Sequence, residues 1–220
     1  MQTQGTHGLA DLIQTDGIAL SKELLRRAMQ EGDLYRHAVS QTMESDPQLE
    51  GIFKEVYRTL KGSIPENQTD LALVHQASNG KPNRYTYGQL YETINQVASS
   101  LQLLGIGAGE VVSLWLPCIP EWIIATLACI SLGCKPASIP IEQIDENDLT
   151  TFLQTSKARV LIVANWCMLD GNPFPTKSIA EKASIFAPYL ESIITVRHLE
   201  LSVSWLDGRD ILWDQLLAGC

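Results

Sequence analysis

The stretch WLPCIPEWIIATLACISLGC, Trp115 to Cys134, holds a single charged residue, Glu121, in twenty positions. A run of that length and apolarity is long enough to span a bilayer, so it constrains the whole chain. Its internal order argues for a soluble core instead. GEVVSLWLP, Gly109 to Pro117, is a short apolar run that starts at a glycine turn and stops at a proline, which is how a strand buried on both faces reads. Pro117 and Pro120 then interrupt the backbone, and Pro120 suits the first turn of a helix. Glu121 follows it, near the positive end of that helix dipole. EWIIATLACISLG closes at Gly133, a C-cap residue, and KPASIPI begins another apolar run. Strand, helix and strand in so few residues form a βαβ unit. No basic bias flanks the stretch, and no membrane span is expected.

The rest of the chain fits around that unit. Residues 1 to about 62 read as helical and more polar. SKELLRRAMQ, Ser21 to Gln30, carries Leu24, Leu25, Ala28 and Met29 on one face. PQLEGIFKEVYRTLKG, Pro47 to Gly62, carries Leu49, Ile52, Phe53, Val56 and Leu60. From Ile64 the pattern changes. DLALVHQ and NRYTY read as a hairpin around ASNGKP. TYGQLYETINQVASSLQLLG is a long amphipathic helix facing inward with Leu90, Ile94, Val97, Leu101 and Leu104. DENDLTTFLQTS reads as a capped helix and ARVLIVA as a buried strand. NWCMLDGNPFPTKS reads as an irregular loop. The helix IAEKASIFAP, the strand ESIITVRH and a tail ending in a short helix complete the pattern. The expectation is an α/β fold, a largely parallel sheet flanked by helices over 63–220, preceded by a helical segment over 1–62.

Composition narrows the function classes. Lys and Arg number 16 against 25 Asp and Glu, a net charge of −9, and no basic cluster offers a surface for nucleic acid. The five cysteines, Cys118, Cys129, Cys134, Cys167 and Cys220, are odd in number and form no CxxC pair, so they read as reduced, packed thiols. His7, His37, His75 and His198 are too scattered for a zinc site. The N-terminus has no basic region followed by an apolar run, so it does not read as a secretory signal, and a cytoplasmic protein is expected.

Two segments look like phosphate loops and fail on position. GIGAGE, Gly105 to Glu110, follows a helix and precedes a strand, whereas a phosphate cradle follows a strand and opens a helix. SNGKP, Ser78 to Pro82, joins two strand-like runs and reads as a turn. Asp145, Glu146 and Asp148 cluster at a helix start, where negative charge is stabilising without any catalytic role. No catalytic, cofactor-binding or metal-binding residue is assigned.

One continuous block, RYTYGQLYETINQVASSLQLLGIGAGEVVSLWLPCIPEWIIATLACISLGCKPASI, resembles the N-terminal region of the AMP-forming acyl-CoA synthetases. Within that adenylate-forming superfamily it is most similar to the acetyl-CoA synthetase branch. The matching positions are Thr86, Tyr87 and Leu90, then Leu104, Gly105, Gly109, Glu110 and Val112. Pro117, Pro120 and Glu121 follow, and then Leu127, Ala128, Cys129 and Gly133. SKARVLIVAN and the tail WLDGRDILWDQLL extend the resemblance over about residues 65 to 217. It implies a partial adenylate-forming-ligase N-terminal domain, and ATP, Mg²⁺ and CoA as cofactors of a full-length member. The family's ATP loop, adenine and ribose sites and C-terminal lysine have no counterpart here, so none of these cofactors is assigned to this chain alone. Leu169 and Asn172 stand where the acetyl-CoA synthetase branch places two arginines, and PIEQID replaces an FGGFS-like segment. Both departures argue against CoA as the acceptor. The expected partner is the remainder of a ligase or a complementary subunit; the alternative is a non-catalytic interaction module.

Overall fold

The computed structural model describes residues 12–15, 18–21, 53–62, 68–76, 82–140 and 144–219. In chain order these form β1 (Leu12–Thr15), β2 (Ile18–Ser21), helix α1 (53–62), β3 (Leu71–Gln76), β4 (Pro82–Thr86) and α2 (Tyr87–Leu103). Next come β5 (Val111–Trp115), α3 (Pro120–Leu132), β6 (Lys135–Ser138), α4 (Glu146–Ser156) and β7 (Val160–Ala164). The short strands β8 (Cys167–Leu169) and β9 (Asn172–Phe174) lead into α5 (Thr176–Ser184). Then β10 (Ser192–Val196), β11 (Asp210–Leu212) and α6 (Trp213–Ala218) complete the described chain.

The central sheet runs β11-β10-β7-β5-β6, and every neighbouring pair is parallel. The chain adds β6 on one side of β5, then crosses to place β7, β10 and β11 on the other. Between β5 and β7 the direction of winding reverses, the topological switch of a doubly wound sheet. β7 is buried at all five positions, as its unbroken apolar run VLIVA implies. Helices α2, α3, α6 and α1 share one core with Val112, Leu114, Ile162 and Ile194 on one face. Helices α4 and α5 share the other core with Trp115, Leu161, Val163 and Ile193.

α3 answers the question that its sequence raises. Ile123, Ile124, Ala125, Leu127, Ala128 and Cys129 are all buried, because the helix lies between the sheet and its helical neighbours. A helix apolar on every side belongs in such a position. Pro120 occupies its first turn, and no side chain caps it. Among the described residues no helix is long and apolar enough to cross a membrane. α2 starts at a capping box: the Gln89 amide donates to the Thr86 hydroxyl at 3.2 Å, and the Thr86 amide to Gln89 Oε1 at 3.0 Å. α1 docks through Val56, Thr59 and Leu60, with Phe53 edge-on to Trp122 at 5.9 Å.

Two local expectations are corrected, and one strand is added to a tail whose expected short helix is present. Leu12–Thr15 and Ile18–Ser21 are strands in the segment expected to be helical, paired antiparallel with Thr15 opposite Ile18, and β2 pairs in turn with β3. That register leaves Asp16 and Gly17 between them, a dipeptide suited to two-residue hairpins. The run NWCMLDGNPFPTKS is a hairpin, with Leu169 opposite Asn172. Asp170 and Gly171 both have positive φ, 50° and 76°, as a two-residue turn between twisted strands requires. The tail holds a strand, β11, ahead of its helix. The helix expected at Ser21–Gln30 lies outside the described residues apart from Ser21, and so does the turn ASNGK; the strands either side of that turn pair as a hairpin, Gln76 opposite Pro82.

Candidate functional site

The two edges of the parallel sheet are built differently. At the amino ends, the Arg159 guanidinium binds Glu110 and donates to the Gly105 carbonyl at 2.9 Å. It also grips both carboxylate oxygens of Glu191, at 2.9 and 2.7 Å. These bonds join the turn after α2 to the starts of β5, β7 and β10. Glu110 accepts from the Gly107 amide as well, so the GIGAGE turn is a structural joint. Gly105 and Gly109 have φ of 80° and 84°, the left-handed backbone for which glycine is suited. Arg159 holds both carboxyls below the usual glutamate range, chiefly through its hydrogen bonds to them.

The carboxyl ends carry the cleft, where open α/β sheets bind ligands. It measures about 90 Å³ and is lined by Glu121, Thr195, Val196, Arg197, Leu212, Trp213 and Asp214. The ends of β10 and β11 supply its floor, and the first turns of α3 and α6 supply the acids. The buried Thr195 hydroxyl has no hydrogen-bond partner.

Burial pushes the Glu121 carboxyl up, and the like charge of Asp214 pushes it further. Burial raises Tyr85 to about 12, and neighbouring Glu121 adds to that rise. Burial lowers His75 and His198, with the charge of His75 adding to the effect on His198. The Asn165 side chain ties the segment after β10 over this edge. It donates to the carbonyls of Leu199 and Leu201 at 2.7 and 3.0 Å and accepts from the amides of His198 and Leu199.

At about 90 Å³ this cleft is far below the several hundred Å³ of ordinary small-molecule sites. Its two carboxylates, Glu121 and Asp214, outnumber the single cation Arg197 and so oppose a phosphate. The acids expected at the start of α4 act as a cap: Asp145 accepts from the Asn147 and Asp148 amides at 2.8 and 3.0 Å. Leu169 and Asn172 lie on the β8–β9 hairpin, and the sequence from Val160 to Val196 contains no arginine. Among the described residues no three His, Cys, Asp or Glu side chains gather as a metal site. The described lining of this cleft therefore does not match the phosphates of ATP or CoA.

Glu121 offers a direct test of its environment. Its folded pKa is raised, so the fold binds that proton more tightly than the unfolded chain does. The resulting stability is present below about pH 4 and is lost as pH rises through the folded value. Glu121→Gln should therefore raise the urea midpoint at pH 7 and leave it unchanged at pH 3.5. A midpoint that falls at pH 7 would show that the charge is favourably held.

A doubly wound parallel sheet with its cleft at the carboxyl edge defines an α/β ligand-binding scaffold. Comparison with known proteins makes this specific: residues 64–210 match the family model described as AMP-binding enzyme, and the chain belongs to that family. It is 31% identical over 147 residues to the acetyl-coenzyme A synthetase of Deinococcus radiodurans, covering 66% of this chain and 22% of that protein. It is 29% identical over 171 residues to the acetyl-coenzyme A synthetase of Streptomyces coelicolor, covering 77% and 26%. The fold matches acetoacetyl-CoA synthetase from Streptomyces lividans with a TM-score of 0.64 at 20% identity, over 74% of this chain and 24% of that one. The chain thus spans about a quarter of the length of these relatives.

Proposed function

We propose that this chain is the N-terminal scaffold portion of an acyl-adenylating ligase, working in the cytoplasm. The complete reaction joins a carboxylate to ATP, releases pyrophosphate and passes the acyl group from the adenylate to a thiol. Catalysis of that kind rests on positioning and on charge stabilisation around the phosphates. This chain contributes one wall of the cleft, and the phosphate-binding groups come from elsewhere. The observation that supports the reading is the family match over 64–210.

On this reading the isolated 220 residues are inactive. Radiolabelled pyrophosphate exchange into ATP, assayed with a panel of carboxylates, is expected to stay at background. Exchange above background with any acid would overturn the scaffold assignment. A second reading, an interaction module or one half of a split ligase, draws support from Leu201, Trp205 and Leu206, which are 43%, 40% and 54% exposed. Whether the reading frame continues past Cys220 into a Ser/Thr/Gly-rich loop separates the two. Continuation supports the single-chain ligase, and a stop codon supports a partner subunit.

A further inference from the structure

The C-terminus of α3 brings two thiols together. Gly133 adopts φ 73°, and the chain doubles back beneath the last helical turn. The Gly133 amide donates to the Ile130 carbonyl at 3.1 Å, and the Cys134 amide to the Cys129 carbonyl at 3.0 Å. These are the paired bonds of a Schellman motif, in which the residue after the glycine packs on the residue five positions earlier. That contact is usually between two hydrophobic side chains. Here it joins Cys129, fully buried, to Cys134, 5% exposed.

The distances are short. The Cys134 thiol lies 3.3 Å from the Cys129 carbonyl oxygen, which accepts its hydrogen. With the backbone hydrogen bond closed, standard bond lengths limit the two Cα atoms to about 7 Å, and disulfides form at separations of about 4.4–6.8 Å. The Gly109 amide donates to the Gly133 carbonyl at 2.8 Å, and the Lys135 amide to the Glu110 carbonyl at 2.7 Å. Both bonds fix the turn that presents Cys134.

We propose that Cys129 and Cys134 are a redox-active pair that closes an intrachain disulfide across the end of α3 when hydrogen peroxide is present. Cys134 reacts first. It is the less buried of the two, whereas Cys129 is fully enclosed, and a thiol buried in apolar surroundings ionises reluctantly. The Cys134 sulfur attacks one peroxide oxygen, the O–O bond breaks, and hydroxide leaves as water after taking a proton. The Cys129 sulfur then attacks the resulting Cys134 sulfenic acid. The S–S bond forms as the S–O bond breaks, and the Cys129 proton leaves with the hydroxyl as a second water. Two thiols lose two electrons and two protons, and one peroxide becomes two waters.

The test uses the folded 220-residue chain, dilute hydrogen peroxide, alkylation of the remaining thiols and non-reducing peptide mapping. The expected product has lost two hydrogen masses, carries a Cys129–Cys134 link, and recovers both thiols with dithiothreitol. Cys134→Ala should abolish the link and leave Cys129 unoxidised at the same dose. The measurement on the unsubstituted chain stands whether or not that variant folds. Sulfinic acid at Cys134 without a link, a link that uses Cys118 or Cys167, or oxidation seen only in urea would each overturn the proposal.

Discussion

Asp210→Ala should lower stability by about 3 kcal/mol, read as a large fall in the urea midpoint at pH 7, because it breaks a buried ion pair and takes one of two anions from a buried ammonium. The Asp210 carboxylate is fully enclosed and accepts from Lys177 Nζ at 2.8 Å, Arg209 Nε at 2.7 Å and the Leu206 amide at 2.9 Å. Lys177 is buried as well, with Glu181 at 2.6 Å as its second anion. Removing the aspartate leaves that ammonium with Glu181 and releases the turn ahead of β11. The same site predicts acid sensitivity. Burial pushes Asp210 up, but hydrogen bonds from Arg209, Lys177 and the Leu206 amide outweigh it and hold the carboxyl below its ordinary value. The fold therefore binds this proton less tightly than the unfolded chain does. Its contribution is complete above about pH 4 and disappears as pH falls through the folded value. Between pH 5 and 2 the unsubstituted chain should lose stability more steeply than Asp210→Ala. Parallel profiles would show that the pair is not coupled to folding.

Leu127→Ala should cost about 2–5 kcal/mol, the range for truncating a fully enclosed leucine. Leu127 has no exposed surface and sits on α3 within the core that α2 and β5 share. Ile185→Ala is the control, because Ile185 is 76% exposed. A surface change of that kind should shift stability by about 0.5 kcal/mol or less. Equal effects at the two positions would contradict the placement of α3 between sheet and helices.

The elements most legible in the sequence are those whose burial is uniform. β7 reads directly from VLIVA, and α3 from an apolar run bracketed by Pro120 and Gly133. α2 was equally clear from its stripe of Leu90, Ile94, Val97 and Leu101. The misread segments share one cause. Asp16-Gly17 and Asp170-Gly171 are both aspartate-glycine pairs between short strands, and four-residue and three-residue strands are too brief for alternation to register. In the second case Pro173, inside β9, also argued against a strand, although a two-stranded ribbon tolerates proline on its open side. β11 hid for a similar reason, three residues wedged between a glycine turn and a helix.

The cleft was illegible for a different reason. Glu121, Arg197 and Asp214 come from three separate segments, and no spacing links them. Glu121 by itself reads as a carboxylate welcomed by a helix dipole. Only the fold reveals that burial and Asp214 work against its charge. The Lys177–Asp210 pair is equally silent in sequence, since a lysine in the first turn of a helix ordinarily points to solvent. The one available hint was the GRD tract itself, quoted as part of the family resemblance without any structural role.

The Arg159 joint has a consequence for how the molecule opens. One guanidinium stitches the starting ends of three neighbouring strands to a single turn, while the finishing ends are tied by separate side chains, Asn165 among them. A sheet fastened at one margin breathes from the other, like a fan hinged at its rivet. Amide exchange should follow that gradient, slowest at Val112 and Val160 and fastest around Arg197 to Leu201, so that any rearrangement needed to admit a ligand or a neighbour begins at the margin where the cleft lies.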